Sequence, residues 1–170
     1  MWTPSRLNKT LVSNGIGRES RVALLRKTSN IRPVKLSLKV EYSCRVLAQL
    51  GRYFGSEQLL HIDDLAQSEA IPSNYLVQIL NELRNGRLIT SRRGKQGGYG
   101  LARPPKDITI HEVIRVVDFD MLDNRLNGKG QSGALFAGVW TEISSVFIEK
   151  TKNYTLEDLM PDDASDMYYI

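Results

Sequence analysis

Asn74, Gln78, Asn81 and Asn85 recur at i, i+4, i+7 and i+11, so they share one face of a helix. A side-chain amide offers a donor and an acceptor together, the pair that bonds adenine bidentately in the major groove. A solvated helix face is ordinarily charged, whereas this one is neutral. Taken alone it fits a nucleic-acid face or a merely amide-rich surface. Arg92, Arg93 and Lys95 stand at or beside the flexible turn Gly94-Lys95-Gln96-Gly97-Gly98. Cations on such a tip suit phosphates or the negative minor groove. A solvated hairpin would carry the same charges. Enzyme chemistry finds little support. G-x-S-x-G, H-E-x-x-H and the phosphate-loop spacing are all missing, and no nucleophile–base–orienter set is visible. Cys44 is the single cysteine, and His61 and His111 are the two histidines, which argues against a disulfide framework and a Cys/His zinc site. Cys44 is expected to be buried and inert. His111 is expected at the surface or half-buried rather than as a ligand. Gly94-Lys95-Gln96-Gly97 also matches the G-x-x-G loop of single-strand-binding KH domains, but that loop joins helices and here the flanks read as strands. Asp118, Asp120 and Asp123 read as a charged loop.

The elements that must hold these groups follow from periodicity. Val46, Leu47, Leu50 and Phe54 place a helix within Val40–Phe54, stopped by Gly55-Ser56. A short helix fits Ile62–Glu69. Ala70-Ile71-Pro72-Ser73 is a tight turn, and Pro72 suits the first turn of the next helix. In that third helix Leu76, Ile79, Leu80 and Leu83 form an apolar stripe away from the amides, and Gly86 is the expected C-terminal stop. Leu88–Arg93 and Tyr99–Ala102 read as strands around the basic turn. Two short helices, a tight turn, an amide-faced helix and a basic hairpin form a winged helix-turn-helix pattern. Thr109-Ile110-His111-Glu112 opens a further helix with a capping box, and Ile110, Val113, Ile114 and Val117 form its core stripe. Residues 118–133 form a polar connection. The last helix spans about Ala134–Lys150. Its stripe of Phe136, Val139, Trp140, Ile143, Val146 and Phe147 is too large for so small a domain to cover, which favours a dimer seam over internal packing. The fold class is therefore mainly α with a small β-hairpin: a winged helix-turn-helix domain plus a long C-terminal dimerisation helix.

Composition agrees with this reading. The 170 residues are 41% hydrophobic and 25% charged, a globular balance, and no apolar run is long enough to span a membrane. The net charge of +4 conceals a gradient. Residues 1–35 hold eight Lys and Arg against Glu19 alone, residues 36–106 hold ten bases and six acids, and residues 107–170 hold five bases and twelve acids. A basic front points to an anionic partner. Charges such as Arg18, Glu19 and Arg21 break every candidate signal-peptide core, and an organelle transit peptide is the lesser reading of residues 1–34. The expected division is a basic, flexible extension (1–34), the winged helix-turn-helix domain (35–106), linker and dimerisation helices (107–160) and an acidic tail (161–170).

These residues resemble the Rrf family of small bacterial winged-helix regulators, typified by IscR, NsrR and CymR. The resemblance covers about Leu36–Met160. Leu36-Ser37-Leu38-Lys39-Val40-Glu41-Tyr42 is similar to the opening L-[ST]-x-K-G-R-Y, and Ile71–Leu80 to I-S-x-x-Y-L-E-Q-L-L. Most specific is Arg93–Pro104, which resembles the wing R-G-x-x-G-G-Y-x-L-A-[RK]-x. Ile110–Asp118, Trp140 and Thr155–Leu159 also fit. The resemblance implies a cytoplasmic homodimer that binds double-stranded DNA, at an inverted repeat, as a repressor. It implies Ser73, Asn74, Tyr75 and Gln78 toward the major groove and Arg93 in the minor groove; the amide face adds Asn81, and the basic turn adds Arg92, Lys95 and Gln96 on the same wing. Ser37 and Lys39 would meet the DNA backbone. Val77 departs from the family's recognition-helix Glu, and Val40-Glu41 from its Gly-Arg. Many members hold an iron–sulfur cluster on three cysteines, but Phe119–Gly138 has neither Cys nor His, so no cofactor is expected. The expected effector is a small molecule, a partner protein or none at all. The alternative is a winged-helix protein-interaction module that does not read DNA sequence.

Overall fold

The computed structural model describes residues 36–94, 96–122, 126 and 128–160. The expected extension (1–34), the acidic tail (161–170), Lys95 and Asp123 lie outside the described residues. Helix α1 spans Leu38–Gly51, α2 Ile62–Glu69 and α3 Ser73–Asn85. Strands β1 (Ile89–Arg92) and β2 (Gly98–Leu101) follow, then α4 (Ile110–Val117) and α5 (Gly133–Asn153). Short 3-10 turns occupy Pro105–Asp107, Phe119–Leu122 and Leu156–Leu159. Among the described residues no helix is long and apolar enough to cross a membrane.

Helix α1 is the centre of the domain. Val40, Cys44, Val46, Leu47 and Leu50 are buried on it, and α2, α3, α4 and β2 all pack around it. Arg45 ties α1 to α2. Its Nε lies 3.1 Å from Glu69 Oε2, its Nη2 donates to the Glu69 carbonyl, and its guanidinium sits 5.6 Å from the Tyr42 ring centre. Helix α2 begins on a capping box, in which the His61 amide donates to Asp64 Oδ2 at 3.3 Å. It ends at Ala70, whose φ of 50° is left-handed. That geometry costs a non-glycine residue about 1 kcal/mol. It also turns the chain so that Ile71 buries and α3 can start at once.

Leu76, Ile79, Leu80 and Leu83 are all fully buried, as their spacing predicts. Each buried leucine or isoleucine contributes about 1.5–3 kcal/mol, which fixes the rotation of α3 about its axis. The helix stops at Asn85 with Gly86 as its C-cap, as expected, but without the left-handed backbone that glycine usually supplies there. The Gly86 φ is −75°, and the left-handed residue after the helix is Arg87, at 59°. Glycine is needed at 86 for space: a Cβ there would lie 2.5 Å from Val116 Cγ1. Gly86 is thus the point where α3 passes α4.

The hairpin is antiparallel, pairing Ile89 with Leu101 and Arg92 with Gly98. Strand β1 is one residue shorter than expected at each end, and β2 keeps its expected length but is shifted one residue earlier, to Gly98–Leu101. A third segment joins it, because Leu60 and Tyr99 exchange backbone hydrogen bonds of 3.0 and 2.9 Å. The wing is therefore tied to the entrance of α2. Thr109 caps α4 by accepting from the Glu112 amide at 3.2 Å. Beyond α5 the chain returns: Leu156 donates to Ile108, Ile110 donates to Tyr154, and the Leu156 side chain is fully buried.

Candidate nucleic-acid interface

The amide face survives folding. Asn74, Gln78, Asn81 and Asn85 are all exposed on α3, opposite the buried leucines. Ser73 is exposed at the helix start. Two of the amides already have local partners: Asn74 Oδ1 accepts from the Tyr75 amide at 2.9 Å, and Asn81 Oδ1 from Arg84 Nη2 at 3.1 Å. Gln78 is at the surface between them. Tyr75 is half-buried, its ring edge-on to Tyr42 with centres 5.8 Å apart. The ring packs partly against the core, leaving part of the side chain for a ligand.

The wing is shaped by glycine. Gly94 has φ 108° and Gly98 has φ 145°, values that side-chain-bearing residues rarely adopt. Gly97 donates to the Gly94 carbonyl at 2.9 Å, closing the tip. Arg92, Arg93 and Gln96 are exposed around it. Arg84, Arg92 and Arg93 line one open depression of about 290 Å³ between α3, the α2 entrance and the wing, together with His61, Ser91 and Tyr99. The structure thus brings the C-terminal end of α3 and the wing to one basic surface. Arg84 is a residue that motif reading missed; the available signal was its position three residues after Asn81, in the last turn of the amide-faced helix.

Ser37 and Lys39 lie at the start of α1, Ser37 half-buried. Lys39 Nζ is 2.8 Å from Glu82 Oε2 on α3. A phosphate at Lys39 would have to share it with this carboxylate. The pair also links the start of α1 to the C-terminal part of α3, a coupling the sequence spacing does not disclose.

The stripe expected to form a seam stands open on α5. Phe136, Val139, Trp140, Ile143, Val146 and Phe147 remain between 38% and 58% exposed. Phe136 and Trp140 stack with centres 6.2 Å apart. A different stripe, Ala137, Ser144, Ile148 and Thr151, is half-buried or buried, and α5 packs on α4. There Thr151 Oγ1 lies 3.5 Å from His111 Nδ1 and donates to the Ile148 carbonyl at 3.0 Å. Desolvation, with the nearby charges of Lys152 and Arg115, lowers the His111 pKa against a smaller raising effect of Glu112. Cys44 is buried, and desolvation pushes its thiol up to about 12.

The family model described as "Rrf2: Iron-dependent Transcriptional regulator" matches residues 36–162. The chain belongs to the Rrf2 family of transcriptional regulators. Rv1287 of Mycobacterium tuberculosis (strain H37Rv) is 37% identical over 131 residues, covering 74% of this chain and 81% of that protein. The HTH-type transcriptional regulator CymR of Bacillus subtilis is 30% identical over 131 residues, covering 74% of this chain and 89% of its own. Among solved structures, CymR (YrzC), the global cysteine regulator of B. subtilis, superposes with a TM-score of 0.65 at 29% identity, covering 75% of this chain and 96% of that one. IscR of T. potens superposes with a TM-score of 0.63 at 30% identity, covering 81% and 93%. The mainly helical fold with one antiparallel hairpin matches these winged-helix structures, and the relatives are regulators rather than enzymes.

The family description names iron. An iron–sulfur cluster needs several thiolates, and this chain has one cysteine, held buried with its thiol protonated. Among the described residues no group of three or more His, Cys, Asp or Glu is placed to hold a metal ion. The donor set does not fit a cysteine-ligated cluster.

Proposed function

We propose that this chain is a homodimeric transcription regulator that reads a specific inverted repeat in double-stranded DNA and acts as a repressor. The observation that carries this reading is the exposed amide face of α3 beside an arginine wing, both locked to one core. Ser73, Asn74, Gln78 and Asn81 would meet base edges, with Tyr75 partly available beside them. Arg92, Arg93, Lys95 and Gln96 form the wing, with Arg93 entering the minor groove. Ser37 and Lys39 approach the backbone, Lys39 exchanging Glu82 for a phosphate.

The division of labour follows the chain. Residues 35–106 read DNA and 107–160 pair the protomers, flanked by the basic extension (1–34) and the acidic tail (161–170). The open face of α5 supports pairing, because an aromatic stripe of this size is costly to leave in water. Pairing would set two copies of α3 about 34–36 Å apart, one helical turn of DNA. The donor set favours gating by a small molecule or partner protein rather than by a cluster. Such a regulator works in the cytoplasm.

The test is selection of fragmented genomic DNA by the purified full-length protein at about 150 mM salt, where binding that rests on phosphates alone is already weakened. Enrichment of a few fragments sharing an inverted repeat is the expected result. Binding that fades steeply with salt and enriches no sequence would overturn specific reading.

A further inference from the structure

Helix α3 carries one exposed side chain that the amide argument does not use. Val77 is 47% exposed, while the other large aliphatic residues of α3, Leu76, Ile79, Leu80 and Leu83, are fully buried. It is the fifth residue of the helix, in its N-terminal half. Asn74 lies three residues before it, Gln78 directly after it and Asn81 four residues after it. On a helix of 3.6 residues per turn, Val77 therefore sits at the margin of the amide face, within reach of whatever the first two turns touch. Base contacts of a recognition helix come from its N-terminal residues.

An apolar side chain in the major groove has one complementary group on a base edge. The C5-methyl of thymine is the apolar feature there; the other groups on offer are hydrogen-bond donors and acceptors. We infer that Val77 selects for thymine by packing its methyl groups against a thymine C5-methyl, next to the position read by Asn74 or Gln78. The inference rests on the DNA-reading function proposed above and adds a specificity-determining residue to it. Amides discriminate through hydrogen bonds. Val77 discriminates by burying a methyl group, and it desolvates without satisfaction any polar group placed against it.

The experiment uses a DNA site selected by the full-length protein and replaces its thymines one at a time with deoxyuridine. This deletes a single methyl group and keeps base pairing. At one position in each half-site, wild type is expected to bind roughly three- to tenfold more weakly, the worth of burying about one methyl contact. Val77→Ala is expected to bind the thymine site more weakly than wild type and to be indifferent to uridine at that position. Alanine at an exposed helical site preserves α3. If no uridine substitution weakens wild type while sequence-specific binding persists, the Val77 contact is overturned and the DNA-reading function stands. The same holds if Val77→Ala shows the full uridine penalty. If the protein selects no sequence, the contact falls together with the reading it rests on.

Discussion

Replacing Gly97 with alanine separates the shape of the wing from its charge. A Cβ at this position would stand 2.2 Å from the Arg92 carbonyl oxygen and 2.9 Å from its carbon. Both are backbone atoms, so no side chain can swing aside. Gly97 is not among the residues of positive φ, so the objection to alanine here is the clash with these backbone atoms. The cheapest relief is to open the tip. That gives up the Gly97–Gly94 hydrogen bond and loosens the adjoining Arg92–Gly98 pair. Two or three hydrogen bonds at about 1 kcal/mol net each make a loss of about 2–3 kcal/mol. For a chain of this length the melting temperature falls by about 2–4 °C per kcal/mol, so a drop of about 4–12 °C is expected. The effect on DNA is separate. Displacing Arg93 forfeits the contact it makes, worth about 1–3 kcal/mol, or roughly 5- to 150-fold in affinity. Thermal unfolding and a titration on the selected site at fixed salt measure the two effects. Combining Gly97→Ala with Arg93→Ala should cost no more affinity than the larger single change, because both act on one contact. A variant that melts like wild type refutes the clash. One that melts lower yet binds DNA unchanged refutes the link between tip geometry and reading.

Arg93→Ala alone should leave the melting temperature in place, because the side chain is exposed, and weaken specific binding by about 1–3 kcal/mol; unchanged affinity removes Arg93 from the interface. Trp140→Asp puts a charge in the middle of the open α5 stripe and should yield monomers by sedimentation; a variant that still sediments as a dimer refutes that seam. Cys44, with its thiol near 12, should resist alkylation at pH 8 until the protein unfolds, and rapid labelling of the native protein would contradict its burial. For His111 the folded pKa lies below the ordinary value, so the unfolded chain takes up the proton more readily. Its contribution to stability is present above the ordinary histidine range and is lost as pH falls through that range toward the folded value. His111→Gln should flatten that part of the stability–pH curve, and an unchanged slope would show that other groups set it.

Much of the architecture is legible in the sequence because its signals are local. The leucine stripe of α3 and the amides opposite it differ by a rotation that 3.6-residue periodicity reports directly. The glycines of the wing mark a turn through their own backbone needs. What stayed hidden depends on partners far along the chain. Gly86 reads as a helix stop, yet its constraint is Val116, thirty residues later. Lys39 reads as a free cation, and folding places Glu82 beside it. Tyr75 reads as a groove-facing residue, and the edge of Tyr42 draws part of it inward. For Lys39 and Tyr75, tertiary contact decides how much of the side chain is left at the surface.

Helix α5 shows how the proposed reading depends on where rigidity is placed. The helix has two stripes at different rotations. The smaller one, ending at Thr151, lies on its own domain near His111, and the larger aromatic one faces outward. The chain after α5 is pinned immediately, since Leu156 is buried and the 108–110 and 154–156 segments exchange backbone hydrogen bonds. The C-terminal end of α5 is therefore fixed to the winged domain. At its other end the helix is reached through the polar 118–132 connection, where side chains added at Gly128 or Gly130 would meet open space although the Gly128 backbone packs against Gly133 at the start of α5. A seam formed along the aromatic stripe would thus transmit any change in crossing angle to the pinned end, and from α4 to α3 at the Gly86–Val116 contact. In the proposed dimer, a few degrees there would alter the separation of the two recognition helices. Enlarging Gly86 to alanine would jam this joint, and it should weaken binding to a two-half-site operator more than binding to a single half-site.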